Sequence, residues 1–216
     1  METTVSDICV FMNEYASLTY AEKWDNPGLL LGHVEAPVHK IMVALDLMPE
    51  VAEQAIEEEV DLIITHHPYY FHLPSSLAVT DTKMEVMYEL IKHDIAVYAA
   101  HTNLDAARGG VNDVLADRLG LNDVTEIPRK DCPEQGLARI GVLGEPMELK
   151  DFAAYVRDQL GAAHVTFAGG EEPVFKVAVV GGSGADFMDD AMAAGADTLV
   201  TGDVKYHVAQ KALNMG

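Results

Sequence analysis

Three short apolar runs constrain this chain most: Lys40-Ile-Met-Val-Ala-Leu45, Asp61-Leu-Ile-Ile-Thr65 and Ile95-Ala-Val-Tyr-Ala-Ala100. Each has the length of a buried strand, and the stretches between them carry helical spacing. Pro49 to Glu59 places Val51, Ala52, Ala55 and Ile56 on one face and acids on the other, with Pro49 suited to the first turn. Lys83 to His93 is a second amphipathic helix after a loop from Tyr69 to Thr80. Strand, helix, strand, helix, strand with continuously apolar strands predicts an α/β fold whose mainly parallel sheet is covered by helices on both faces. Ligands bind such sheets beyond the carboxyl ends of the strands. Two of the runs end in residues able to do chemistry there: His66-His67-Pro68 after Thr65, and His101-Thr102-Asn103-Leu104-Asp105 after Ala100.

A second regularity divides the chain. Shifted by 136 positions, Ile41 to Thr65 falls on Val177 to Thr201 without a gap, Ala55 on Ala191, Asp61 on Asp197 and Thr65 on Thr201. The match lies in the apolar pattern more than in identity, and it predicts two topologically similar α/β domains. The boundary is placed near Ile127, giving a first domain over 1–126 and a second over 127–216. Around these runs, Ile8 to Tyr15, Val111 to Leu119 and Leu149 to Leu160 have helical spacing, and Trp24-Asp25-Asn26-Pro27-Gly28 is a turn entering Leu29 to Leu31.

Composition narrows the function classes. Fourteen basic against 35 acidic residues give a formal charge of −21. Such a surface repels phosphate backbones, so nucleic-acid binding through a basic face is not expected. No apolar run approaches the ~20 residues of a membrane span, and Met1 to Asp7 has no signal-peptide pattern. Cys9 and Cys132 form no metal-ligand pattern and no disulfide framework is expected, which points to a reducing cytoplasm.

The histidines carry the chemistry. Just past a strand end the chain can turn two neighbouring side chains to one side, so His66 and His67 can give one nitrogen to each of two ions or both to one. Neutral imidazole suits zinc, iron, manganese, cobalt or nickel, and a carboxylate such as Asp105 completes or bridges the site. His101 and Asp105, four apart, come to one side if their segment is helical. His33, His39, His72, His93 and His164 share no such context and are read as surface or hydrogen-bonded residues. Gly181-Gly182-Ser183-Gly184 lacks the lysine of a Walker loop and is read as a tight strand-to-helix turn rather than a phosphate cradle. Met84, Met87, Met188 and Met192 are read as core filler.

Four stretches together resemble one family, the dinuclear-metal proteins called GTP cyclohydrolase I type 2 homologues or the NIF-three-like family. They are Trp24-Asp-Asn-Pro-Gly-Leu29, Asp61-Leu-Ile-Ile-Thr-His-His-Pro68, His101-Thr-Asn-Leu-Asp105 and Thr201-Gly-Asp-Val-Lys-Tyr-His207, with Val177 to Gly184 similar to a further strand and turn of that family. The resemblance implies two interlinked α/β domains, two divalent ions per subunit, and a ring-shaped homohexamer with its metal sites facing an internal cavity. It places metal ligands at His66, His67 and Asp105, and a position beside the metals at His101. Family members continue past the segment ending at His207 to a glycine-histidine motif with a glutamate four residues after that histidine. The present sequence stops at Gly216, so the second domain is expected to be truncated at its C-terminal end, with His207 at most a neighbour of the metals.

The function expected on these grounds is metal-dependent hydrolysis of a small molecule such as a nucleotide, with GTP ring-opening as the case suggested by the family name. Metal ions would activate water and His101 would serve as a proton carrier or support the ligands. The alternative of another class is a non-catalytic metal-binding ring: chaperone, storage shell or scaffold.

Overall fold

The computed structural model describes residues 2–128 and 136–215; Cys132 and Gly216 lie outside them. The chain forms two compact units, Met1–Ala107 and Arg108–Gly216. The boundary expected from the sequence, near Ile127, lies one helix and one strand later. That helix and strand pack and pair with the elements that follow them, which is why the division precedes them.

In the first unit α1 (Val5–Tyr15) leads through a short 3-10 turn to β1 (Gly28–Leu31), then β2 (Ile41–Ala44), α2 (Pro49–Glu57), β3 (Leu62–Thr65), α3 (Thr82–Lys92), β4 (Ala96–Ala99) and the short α4 (Thr102–Ala106). Pro49 opens α2 at its first turn, as the sequence predicts. The sheet order is β1-β4-β3-β2. β2, β3 and β4 run parallel, whereas β1 pairs antiparallel with β4. Ile63 and Val97 face Ala52, Ala55, Val86 and Leu90 of α2 and α3. Leu62, Ala96 and Tyr98 point the other way, toward Val5 and the apolar face of α1. The sheet is thus covered on both faces, with β3 and β4 at its centre. β2 departs from the expected buried strand: as the edge of the sheet it leaves Val43 77% exposed.

The second unit contains α5 (Val111–Arg118), β5 (Asn122–Ile127), β6 (Ala138–Met147), α6 (Leu149–Leu160), β7 (Val174–Val180), α7 (Met188–Ala193), β8 (Thr198–Thr201) and α8 (Tyr206–Met215). Its strands lie in the order β5-β6-β7-β8, antiparallel except for β7 with β8. A mainly parallel sheet therefore describes the first unit only. The second keeps one parallel pair, at the place where the repeat falls. α5 and α6 cover one face through Ala116, Leu119, Phe152 and Val156, and Ala191 of α7 packs on the other. Met84 is buried as expected, but Met192 is half-exposed.

The repeat is physical as well as sequential. Asp61 accepts hydrogen bonds from the amides of His39 and Lys40 at 2.7 and 2.8 Å, and Asp197 accepts them from Phe175 and Lys176 at 3.1 and 2.7 Å. Lys40 donates its ammonium to the carbonyl of Glu58, and Lys176 does the same to Ala194. Every partner in one clamp lies 136 positions from its counterpart in the other. The amides of Val60 and Ala196 close the preceding helices onto Ala55 and Ala191 in the same way. No helix among the described residues is long and apolar enough to cross a membrane.

These clamps give a stability test. Asp61→Ala and Asp197→Ala each remove the acceptor of two backbone amides and are expected to cost about 1 kcal/mol each, the lower end of the range because both sites reach solvent. Partial burial opposes the ionisation of Asp61, but the amides of His39 and Lys40 and the His39 ring outweigh it and hold the carboxyl below its ordinary value. Its contribution is therefore full above about pH 4 and lost as pH falls through the lowered value. Urea unfolding of wild type and Asp61→Ala should differ at neutral pH and converge in acid.

Candidate metal centre

Parallel pairing of β2, β3 and β4 brings three carboxyl ends to one edge: Asp46 follows β2, His66 and His67 follow β3, and His101 with Asp105 follow β4. β1 runs the other way, so Asp25, three residues before its start, comes to the same edge. The ladder continues past β3, with the amides of His66 and His67 reaching the carbonyls of Ala44 and Leu45 at 3.3 and 3.1 Å. The Thr65 hydroxyl then donates to the His67 carbonyl at 2.8 Å and curls the chain. The two imidazoles, which a straight strand would send to opposite faces, end with ring centroids 4.9 Å apart.

His101 occupies the N-cap of α4, its amide bonded to Asn103 Oδ1 at 2.9 Å. Asn103 is fully buried and donates to the Ala16 carbonyl at 2.7 Å, which ties α4 to the end of α1. One helical turn, closed by the Asp105 amide on the His101 carbonyl, puts His101 and Asp105 on one side as their spacing predicts.

The three histidines converge. The His101 ring lies 5.1 Å from that of His66 and 5.4 Å from that of His67, and one ligating nitrogen from each of the three falls within 4.8 Å of the others. Their outer nitrogens fix how they are presented. His66 Nδ1 lies 2.8 Å from the Ala100 carbonyl, His67 Nδ1 2.7 Å from Asp46 Oδ1, and His101 Nδ1 2.8 Å from Asp25 Oδ1. A carbonyl oxygen can only accept, and an ionised carboxylate likewise. Each ring therefore carries a proton on Nδ1 and, in its neutral form, presents the Nε2 lone pair outward, the arrangement in which histidines bind metals.

At His66 the electrostatics favour the neutral ring. Burial foremost, with neighbouring His101 and His67, pushes the His66 pKa below its usual value and keeps the ring neutral. The Asp25 side chain is itself buried, which opposes its charge, but hydrogen bonds from His101, Thr102 and the Asn26 amide hold it below the ordinary range. Asp105 Oδ1 sits 3.7 Å from His66 Nε2. Burial pushes the Asp105 carboxyl up to about 6, with His101 and His67 acting against the rise and Asp25 adding to it. A nearly buried carboxyl beside three imidazoles suits a divalent cation, whose charge would favour its ionised form. Accessibility is graded: the side chains of His66, His101 and Asp105 are 11–19% exposed, against 45% for His67. The centre opens to solvent on the His67 side.

His66, His67, His101 and Asp105, all picked from sequence, meet here. Their arrangement differs from the expected division of labour, since His101 joins the imidazole group while Asp105 stands beside it. Asp25 and Asp46 were missed as site residues. The turn motif around Asp25 and the position of Asp46 just past a parallel strand were the available signals. The five histidines read as structural lie outside the group: His39 pairs with Glu2, and His93 bonds the Glu89 carbonyl at the end of α3. At the corresponding edge of the second unit, Gly181 donates its amide to Asn112 Oδ1 and Gly184 to the Thr201 hydroxyl. Those amides are committed internally, as a turn requires.

Comparison with known proteins identifies relatives of the chain. A family model, Duf34/NIF3 (NGG1p interacting factor 3), matches residues 3–216. A Clostridium perfringens protein named GTP cyclohydrolase 1 type 2 homolog is 37% identical, over 98% of this chain and 82% of its own length. Its namesake from Clostridium acetobutylicum is 35% identical, over 96% of this chain and 78% of its own. Among solved structures, a Staphylococcus aureus hypothetical protein superimposes with a TM-score of 0.92 at 30% identity, covering all of this chain and 84% of its own.

The orienting bonds are testable apart from the ligands. Asp46→Asn is expected to weaken zinc binding by about 10- to 100-fold, because the amide no longer selects the Nδ1-protonated ring. Asp46 is half-exposed, so the melting temperature of the metal-free protein should not change. Isothermal titration with zinc, beside a thermal melt, reads both.

Proposed function

Because the chain belongs to the Duf34/NIF3 family, we propose that it is a cytoplasmic divalent-metal-dependent hydrolase acting on a nucleotide or related small molecule, with His66, His67, His101 and Asp105 holding two ions. The observation that carries this reading is the set of three converging imidazoles whose Nδ1 atoms are each committed to an acceptor, so that each ring when neutral offers its Nε2 lone pair to a cation. Divalent ions held there by these residues would supply Lewis acidity. His66 and His101 provide the inner wall of the site, and Asp25 keeps the His101 ring from rotating. His67, the most exposed of the three, borders the open side by which substrate enters. The name shared by the relatives, GTP cyclohydrolase 1 type 2 homolog, supports a purine nucleotide as the first substrate to assay. A homohexameric ring is proposed with it, to be read from the mass in light scattering.

A second reading, a non-catalytic metal-holding ring, is favoured by the −21 charge, which accumulates cations without needing turnover. Turnover separates the two. Protein loaded with zinc or manganese is expected to hydrolyse nucleotides or phosphoesters, and His67→Ala to lose at least about 100-fold of that rate. Equal activity of wild type and His67→Ala rejects the hydrolase. His101→Ala tests the role of that ring: a metal donor's loss lowers bound metal, whereas a proton carrier's loss lowers turnover at unchanged metal content. The position of His101 within the imidazole group predicts the first. Equal metal content in wild type and the His66→Ala/His67→Ala double variant would contradict metal binding itself.

A further inference from the structure

We propose that Trp24 and Phe71 form an aromatic subsite beside the imidazole cluster, which stacks the planar heteroaromatic ring of the substrate. The proposal rests on the hydrolase reading for where the substrate lies, and deepens it by naming how the substrate is recognised.

Both rings border the same histidine. The Trp24 centroid lies 5.9 Å from that of His101 and the Phe71 centroid 5.8 Å from it, while the two are 5.8 Å from each other at 51°. They form two adjoining walls rather than a closed stack, so each keeps a free face. Their exposure fits that use: Trp24 is 57% and Phe71 45% exposed. Large aromatic rings that filled the core would be covered. Single exposed apolar residues need no explanation, but two meeting at a metal-competent cluster do.

The walls are also held in place. Asp25, next to Trp24, is fixed by His101 and by the amide and hydroxyl of Thr102. Asn26 donates its side-chain amide to the Tyr70 carbonyl at 2.7 Å, joining the turn that carries Trp24 to the loop that carries Phe71. Such anchoring lowers the entropy lost when a ligand ring settles on them.

Charge points the same way. The first 107 residues contain four lysines and no arginine, so this unit has no guanidinium fork for a phosphate. Lys83 lies over the rings of Tyr69 and Tyr70, 4.8 and 4.4 Å from their centroids. The faces of Trp24 and Phe71 therefore act on the ring of the substrate rather than on its phosphates. Stacking suits that division, because any flat heterocycle offers a π-face.

Trp24 is the only tryptophan of the chain, so its fluorescence reports on this subsite alone. Zinc-loaded and chelator-treated protein would be titrated with guanosine 5′-monophosphate and, as the ring-free control, ribose 5-phosphate. The expected result is saturable quenching by the nucleotide and none by the sugar phosphate, with Phe71→Leu weakening the nucleotide response about tenfold. Equal responses to both compounds, no response to either, or a Phe71→Leu titration that overlays wild type would overturn the subsite. So would a Trp24 emission that moves with protein concentration, which marks a contact with another copy. Failure here is separable from failure of the hydrolase. Turnover without ring-dependent quenching rejects the subsite alone, and ring-dependent quenching without turnover rejects the hydrolase alone.

Discussion

Three hydrogen bonds made by the outer nitrogens of His66, His67 and His101 decide what the centre can be. Neutral imidazole has two tautomers of similar energy in water, and only the one protonated at Nδ1 leaves Nε2 free to take a cation. The Ala100 carbonyl and the carboxylates of Asp46 and Asp25 select that tautomer for all three rings at once. Without them the same residues would be a polar patch with no common direction. The sheet makes the selection possible, because β2, β3 and β4 share a direction and deliver acceptors and imidazoles to one edge.

The repeat shows how one framework serves two ends. Both units keep the aspartate clamp and the lysine that caps the preceding helix, so the architecture of the β-α-β element is common to them. Past the second strand of that element the two differ in chemistry. Where the first unit has His66 and His67, the second has Gly202 and Asp203. A Cβ added at Gly202 would stand 2.9 Å from the Gly182 carbonyl oxygen, and the Gly202 amide already donates to that oxygen at 2.8 Å. A side chain at that place would crowd the Gly182 backbone, so the second unit has glycine where the first has His66.

Much of this is written in the sequence, for identifiable reasons. Leu62–Thr65 and Ala96–Ala99 are central strands, and their uninterrupted apolar character announces them; the helix over Leu149–Leu160 falls where its periodicity puts it. The edge position of β2 was hidden, because an apolar run does not say how many neighbours a strand will have. The antiparallel pairing of β5 to β7 was hidden too, since pairing direction depends on partners distant along the chain. Of the site, the imidazoles and Asp105 were legible from their place after strands. Asp25 and Asp46 were not, because a residue that only orients another is recognised by whom it touches. Asp25 lies 76 positions from His101, and Asp46 lies 21 from His67.

The tautomer claim can be measured without any substrate. Long-range proton–nitrogen correlation spectra of metal-free protein labelled with 15N-histidine distinguish Nδ1-protonated from Nε2-protonated rings. The account predicts Nδ1 protonation at His66, His67 and His101, with zinc shifting their Nε2 resonances and leaving the Nδ1 protons in place. Nε2-protonated rings at these positions, or Nε2 resonances indifferent to zinc, would contradict it.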